Sequence, residues 1–214
     1  MGSSYFFDNF DSFRLMQLFL NTTSPFARVV RVVALEKGLA DQLTLVSADP
    51  WNHDPALLAV HPQLRIPVLI TPEGSAIAES LLIAQYLDMV GTGPALVPAA
   101  HAAAVLARTS VAYGLMEAAF HVVIGRKYEG MQADTSVMGQ RRLTSIGRVL
   151  QQLESASPTP LADHATLDTI TTAVALDYVR FRLPALFATQ AYPQLHQWLN
   201  QAQQQPHLAH TRFA

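Results

Sequence analysis

Short apolar runs and helical patterns alternate along the first part of the chain. Four runs have the length of strands, at 17–20, 43–46, 68–70 and 75–78. Apolar residues recur at helical spacing in three further segments, 25–37, 55–60 and 79–89. A turn, "TPEG", separates the last two strands. This order predicts a βαβ unit joined to an antiparallel hairpin, and therefore a mixed four-stranded sheet.

The pattern changes after "GTGPALVP", where two Gly and two Pro indicate a linker. Four long helical patterns follow, at 101–128, 135–156, 167–181 and 193–205. We therefore expect an α/β domain over 16–90, a linker over 91–100 and an all-α domain over 101–214. Residues 1–15 begin with "MGSS", as a vector-derived leader does. The alternative is a native extension whose aromatic residues dock on the body.

The composition excludes several classes of function. The net charge is −2, from 14 basic and 16 acidic residues, and without a basic stripe we expect no nucleic-acid partner. No apolar run reaches the roughly 18 residues of a membrane span, so we expect no membrane partner. The chain has no Cys, which excludes disulfides and a protein thiol nucleophile and fits a cytoplasmic location. The eight histidines form no convincing metal-binding set. His207 and His210 stand three residues apart, but near a C-terminus that we expect to fray, so we expect no metal.

Ser24 is the favoured N-cap of the helix at 25–37, with Pro25 at the first helical position and Gly38 after its end. As a cap, the hydroxyl oxygen accepts a hydrogen bond from a backbone N–H. Its own proton stays free to be donated. A donor at a helix N-terminus is a favourable place for an anion.

Three motifs carry a family resemblance. They are "SPFARVVRVVALEKG", "RIPVLI" and "AIAESLLIAQYLD", in this order and ahead of an all-helical half. Together they resemble the cytosolic glutathione S-transferases, and the Ser-Pro-Phe opening resembles the serine-type members. The resemblance covers nearly all of the chain from Met16. It implies a thioredoxin-like N-terminal domain, a helical-bundle C-terminal domain and glutathione as co-substrate.

The resemblance gives Ser24 a catalytic role, as donor to the thiolate of glutathione. A free thiol has a pKa of about 8.5, and lowering it by two units needs roughly 2.7 kcal/mol. A hydrogen bond to a charged group contributes about 1.5–3 kcal/mol, and the helix terminus about 0.3–1 kcal/mol more. Ser24 is then neither a base nor a covalent nucleophile. Thr22 and Thr23 are nearby alternatives, but neither directly precedes Pro25.

The other two motifs imply the glutathione-binding residues. Relatives have a cis proline at Pro67, which would turn the Ile66 N–H and C=O toward the extended peptide ligand. Arg65 would meet the glycyl carboxylate or stay solvated, and we favour the solvated state. In "AIAESLLIAQYLD", the Ser80 hydroxyl suits the γ-glutamyl carboxylate of glutathione, and the Glu79 carboxylate suits the γ-glutamyl ammonium. Without the resemblance, these residues would simply begin a strand and a helix.

The second-substrate pocket cannot be separated from the core by sequence. The helix at 101–128 carries the candidate residues Tyr113, Met116, Phe120 and His121. Trp51 and His53 lie in a loop that relatives place near the peptide ligand.

The helix that begins near Thr166 departs from the family pattern. Relatives have an acid three residues after the cap, where this chain has Thr169, and Asp168 comes one residue early. We therefore expect the reciprocal capping bond to be doubtful.

The function implied is a homodimeric enzyme that conjugates glutathione to a small electrophile. Only 14% of residues are charged, which is low, and the runs "HAAAVLA" and "SVAYGLMEAAF" offer apolar surface for a two-fold contact or for the core. One alternative is a glutathione-dependent disulfide reductase or peroxidase, in which glutathione itself supplies both thiols. The other is a non-catalytic binding protein of the same fold.

Overall fold

The computed structural model describes residues 15–162 and 164–213, so the expectations for residues 1–14 lie outside the described part of the chain. Its sheet has four strands in the order β2-β1-β3-β4. They are β1 (Met16–Leu20), β2 (Leu43–Ser47), β3 (Val68–Ile70) and β4 (Ala76–Ala78). β1 pairs parallel with β2 and antiparallel with β3, which pairs antiparallel with β4. The predicted mixed sheet is confirmed.

Helices cover both faces of this sheet. They are α1 (Pro25–Glu36), α2 (Pro55–Val60) and α3 (Ser80–Val90). Alternate residues of a strand point to opposite faces. Accordingly, Leu18 belongs to the large core with α1 and α3, whereas Phe19 joins Leu57 of α2 in a smaller core. On α3, Ile83 and Leu87 are buried, whereas Leu82 is 55% exposed.

The second half is helical throughout its described part. Its helices are α4 (Ala102–Glu129), α5 (Val137–Ala156), α6 (Leu167–Arg182), α7 (Pro193–Ala202) and α8 (Pro206–His210), with short 3-10 turns between several of them. α6 lies at the centre, packed against α4 on one side and α1 on the other. Its residues are buried without interruption from Leu167 to Val179.

Two helix ends differ from the sequence prediction. α5 begins at Val137 because the hydroxyl of Ser136 accepts from the Gly139 N–H and caps it. The helix predicted at 193–205 stops at Ala202 and restarts as α8. The terminus expected to fray is held, because His207 Nδ1 lies 2.5 Å from Glu36 Oε1 of α1.

The reciprocal capping bond of α6 is present, which corrects the sequence-based doubt. The Thr169 hydroxyl accepts from the Thr166 N–H at 3.0 Å, in place of the acid found in relatives. Asp168 instead accepts from the Thr166 hydroxyl and from Arg108. Burial raises the pKa of Asp168, but hydrogen bonds from Thr166, Arg108 and Thr159 outweigh it and hold the pKa below its usual value.

The segment between Val90 and Ala99 is docked rather than free. The buried Lys37 Nζ lies 2.9 Å from Asp88 Oδ1 and donates to the carbonyl oxygens of Gly93 and Pro94. The Leu96 N–H in turn donates to Asp88. The sheet half therefore holds this segment in place, although the position of the domain boundary stays a prediction.

Arg28 joins the two halves through a buried ion pair. The helical pattern gave no sign of this, yet the Arg28 side chain on α1 is 1% exposed and its Nη1 donates to Asp177 of α6 at 2.5 Å. The guanidinium also donates to Gln203, Leu208 and Thr211. Burial lowers the pKa of Arg28, and the charge of Asp177 opposes that shift.

Among residues 15–162 and 164–213, none of the helices is apolar over a stretch long enough to cross a membrane.

We expect Asp177→Ala to reduce the free energy of unfolding by about 3–5 kcal/mol, because it leaves the Arg28 charge buried without its counter-charge. Urea unfolding measures the loss. Arg180→Gln is the matched control, since Arg180 pairs with the same carboxylate from a more exposed position and should contribute only about 0–1 kcal/mol. Equal losses in the two variants would contradict the assignment.

Candidate functional site

Ser24 lies between β1 and α1 and caps the helix as predicted. Its hydroxyl oxygen accepts from the Ala27 N–H at 3.2 Å. The described residues provide no acceptor for the Ser24 proton, which is left free to be donated. Thr23, the alternative candidate, donates its proton to Asn21 Oδ1 at 3.2 Å. The geometry therefore favours Ser24 over Thr23 as the donor at this helix end.

The peptide bond between Ile66 and Pro67 is cis, as the family resemblance implied. It precedes β3, and both residues lie on the cleft between the two halves of the chain. Arg65 is exposed, but its Nη1 lies 2.6 Å from Glu79 Oε1. The Arg65 side chain is thus open to solvent, as we favoured, and also forms a surface ion pair with Glu79.

Glu79 and Ser80 begin α3 on the same side of the cleft. Glu79 is the helix N-cap and has a φ of 67°, a left-handed conformation that is costly for a residue with a side chain. Ser80 is buried, and its hydroxyl accepts from the Tyr113 hydroxyl of α4 at 3.0 Å. Its own proton therefore remains available to a ligand. Burial raises the pKa of Tyr113, so the phenol stays a neutral donor.

Two adjoining cavities occupy the cleft between the sheet half and the helical half. The larger has a volume of about 580 Å³ and includes Ser24 in its wall. The smaller has a volume of about 450 Å³ and includes Glu79 and Ser80. The two share four residues, Phe26, Arg65, Ile66 and Phe120. The structure thus brings all six predicted site residues to one continuous cleft, with Ile66 in its middle.

A cluster of aromatic and cationic side chains stands at the rim of the larger cavity. Trp51, in the loop before α2, lies 5.2 Å from the Tyr128 ring, centroid to centroid. Lys127 Nζ lies 5.6 Å from the Trp51 centroid and 5.0 Å from that of Tyr128. The loop before α2 and the end of α4 therefore meet across the cleft.

Known proteins resemble this chain over its length and in its fold. The family model described as "Glutathione S-transferase, N-terminal domain" matches residues 23–90. The uncharacterized GST-like protein YibF of Escherichia coli (strain K12) is 30% identical over 172 residues, which cover 78% of this chain and 83% of YibF. The chain belongs to the glutathione S-transferase family.

Solved structures of the family agree with the fold. A glutathione transferase family member from Pseudomonas fluorescens Pf-5, with bound glutathione, has a TM-score of 0.85 and 30% identity, covering 93% of this chain and 99% of that one. A second structure of a family member from that organism, with bound S-(propanoic acid)-glutathione, has a TM-score of 0.81 and 28% identity, covering 93% and 100%. The thioredoxin-like N-terminal domain and the helical C-terminal half are those of the transferase family.

The structure also separates pocket from core on α4, which the sequence could not do. Met116 is fully buried in the core. Tyr113 and His121 line the smaller cavity, and Phe120 lines both. Trp51 lines the larger cavity, whereas His53 is absent from the wall of either.

Sequence reasoning missed three residues of this cleft. Lys127 and Arg182 lie in the wall of the larger cavity, and Tyr178 lies with them. Their position depends on where α4 and α6 end relative to the sheet half, for which a single sequence carries no signal. The described residues contain no cluster of three or more His, Asp or Glu that could hold a metal ion.

Proposed function

We propose that the chain is a serine-type glutathione transferase that stabilises the thiolate of glutathione for attack on a small electrophile. The observation that carries this proposal is the single cleft in which a free hydroxyl at a helix N-terminus, a cis proline and the start of α3 lie together. Each of these features suits a different part of an extended tripeptide.

Ser24 would hold the sulfur. Its hydroxyl oxygen accepts from the Ala27 N–H, and its own proton stays free for a ligand in the cavity that Ser24 lines. Glutathione, when bound, would supply the nucleophilic sulfur. The hydroxyl and the N-terminus of α1 together favour the charged thiolate over the thiol. The chain has no Cys, so the protein itself offers no competing thiol.

Ile66, Glu79 and Ser80 would orient the peptide. The backbone of Ile66 suits the cysteinyl residue through a strand-like contact. The Ser80 hydroxyl, oriented by Tyr113, suits the γ-glutamyl carboxylate. Glu79 suits the neighbouring ammonium, and Arg65 pairs with the Glu79 carboxylate.

Relatives support the ligand and its chemistry. Family members from Pseudomonas fluorescens Pf-5 have been solved with glutathione and with S-(propanoic acid)-glutathione. We extend glutathione binding to this chain on the strength of 28–30% identity over almost its whole length. A cytoplasmic location is part of the same proposal.

Two other functions of the same cleft differ from this one in what the sulfur of glutathione reacts with, if it reacts at all. Disulfide or peroxide reduction would proceed with glutathione as the source of both thiols. Sequestration of apolar ligands would need no thiolate at all. Steady-state assays with an aryl halide, a peroxide and a mixed disulfide, each with glutathione, separate the three.

We expect Ser24→Ala to raise the pKa of bound glutathione toward the free value of about 8.5 and to lower turnover at neutral pH, with little change in affinity. Thiolate absorbance titrated against pH measures the shift. Ser24→Thr keeps a hydroxyl and should restore much of the effect, while Thr23→Val should change little. An unchanged titration curve in Ser24→Ala would mean that another group stabilises the thiolate.

We expect Glu79→Gln to weaken glutathione binding roughly tenfold, about 1.4 kcal/mol, because it removes the counter-charge of the ligand ammonium. Calorimetric titration measures the affinity. Arg65→Gln is the matched control and should have a smaller effect, because Arg65 would act on the ligand only through Glu79. Wild-type affinity in Glu79→Gln would mean that Glu79 begins α3 but does not bind glutathione.

The exposed apolar side chains of α3 and α4 support a homodimer. Leu82 and Met89 are 55% and 76% exposed, and Leu106 of the run "HAAAVLA" is 51% exposed. The other run considered for the contact, "SVAYGLMEAAF", contributes Ala112, Leu115, Met116 and Ala119 to the core. A two-fold contact would cover the exposed side chains.

Light scattering should therefore give twice the chain mass of 23.4 kDa for the wild type. Leu82→Glu should shift the mass toward that of one chain, because it places a charge in the proposed contact. Val137→Glu, at an 85% exposed position of α5, is the control and should remain dimeric. A wild-type mass near 23.4 kDa would exclude the dimer.

A further inference from the structure

The wall of the larger cavity is apolar on one side and cationic at its rim. The apolar side includes Phe26, Phe120, Val123 and Ile124. Its charged members are Arg65, Lys127 and Arg182, and none of the described residues in the wall is acidic. A cavity of about 580 Å³ with this wall has room for an apolar ligand beside a peptide at Ser24 and Ile66.

Two of the three cations are without an ion pair among the described residues. Arg65 is committed to Glu79. Two nearby arginines already have carboxylate partners: Arg126 pairs with Asp134, and Arg180 pairs with Asp177. In the part of the chain that the structure describes, no carboxylate oxygen lies within 4 Å of a side-chain nitrogen of Lys127 or Arg182.

Aromatic rings, rather than acids, position both cations. Lys127 Nζ lies over the rings of Trp51 and Tyr128. The Arg182 guanidinium lies 4.4 Å from the centroid of the Phe181 ring. A ring stabilises a cation without neutralising it, so the full positive charge and its N–H donors remain available to an anion.

Tyr178 adds a neutral donor to the same wall. It lies one turn before Arg182 on α6 and is buried, which raises the pKa of its hydroxyl to about 12 even though Arg182 lowers it. The phenol therefore keeps its proton across the physiological range.

We propose that the second ligand of this cleft is an apolar acid: its hydrophobic body lies against Phe26 and Phe120, and its carboxylate is bound by Lys127 and Arg182. This proposal rests on the glutathione site proposed above and specifies the class of molecule that shares the cleft with it. It differs from a generally apolar pocket, because a neutral analogue of the same shape would leave both cations unpaired.

The test uses three glutathione conjugates as calorimetric probes, so that binding is measured without any reaction. They carry on sulfur a benzyl, a para-carboxybenzyl or a para-carbamoylbenzyl group. The benzyl conjugate reports on the glutathione site and the apolar wall, without a charged or amide group on the ring. The carbamoyl group has nearly the shape of the carboxylate without its charge, so the ratio of their affinities isolates the charge.

For the wild type we expect the carboxylate probe to bind about tenfold more tightly than the carbamoyl probe, as a hydrogen bond to a charged group would give. The ratio should fall toward one in Lys127→Gln and in Arg182→Gln. Arg148→Gln removes an exposed cation of α5 that lies outside the cavity wall and should keep the wild-type ratio.

Three results would overturn the proposal. The first is a ratio near one in the wild type. The second is a high ratio that both cation variants leave unchanged. The third is equal weakening of all three probes in the variants, which would assign Lys127 and Arg182 to a carboxylate of glutathione itself. Failure of the benzyl conjugate to bind would instead overturn the glutathione site, and this proposal with it.

Discussion

The buried ion pair between Arg28 and Asp177 is the interaction on which the cleft depends. Ser24 caps the same helix that carries Arg28, only one turn away. Asp177 lies on α6 beside Tyr178, which lines the cavity. One hydrogen-bonded contact therefore fixes the hydroxyl of one half against the pocket wall of the other. A buried charge tolerates little displacement from its partner, so the relative position of α1 and α6 is tightly constrained.

The chemical character of the side chains changes along the length of the cleft. At one end, the acid Glu79 and the hydroxyl of Ser80 suit the zwitterionic part of a peptide. In the middle, Ile66 lines the same cavity as Ser24. At the other end, the rim carries cations on aromatic rings. In our proposals, the Glu79 end binds the γ-glutamyl group of glutathione and the cationic rim binds the carboxylate of the second ligand, so the two ligands meet opposite charges of the protein.

Local signals in the sequence predicted more of this protein than its long-range contacts did. The mixed sheet and the cap at Ser24 followed from strand length and capping chemistry, and the six candidate site residues followed from the family resemblance of three motifs. The burial of Arg28 did not, because its partner lies 149 positions away and nothing local distinguishes it from the partly exposed Arg31. Lys127 and Arg182 were not predicted either, because their place in the cavity wall also depends on long-range contacts. The capping bond of α6 was doubted because Thr169 replaces an acid, yet its hydroxyl makes the bond.

A crystal structure of the protein with glutathione tests the account most directly. The account predicts the sulfur within hydrogen-bonding distance of Ser24 Oγ, the cysteinyl backbone against Ile66, and the γ-glutamyl group at Glu79 and Ser80. It further predicts that the larger cavity stays open beside the sulfur, bounded by Phe120 and Lys127. Glutathione bound elsewhere, or with its sulfur directed away from Ser24, would contradict it.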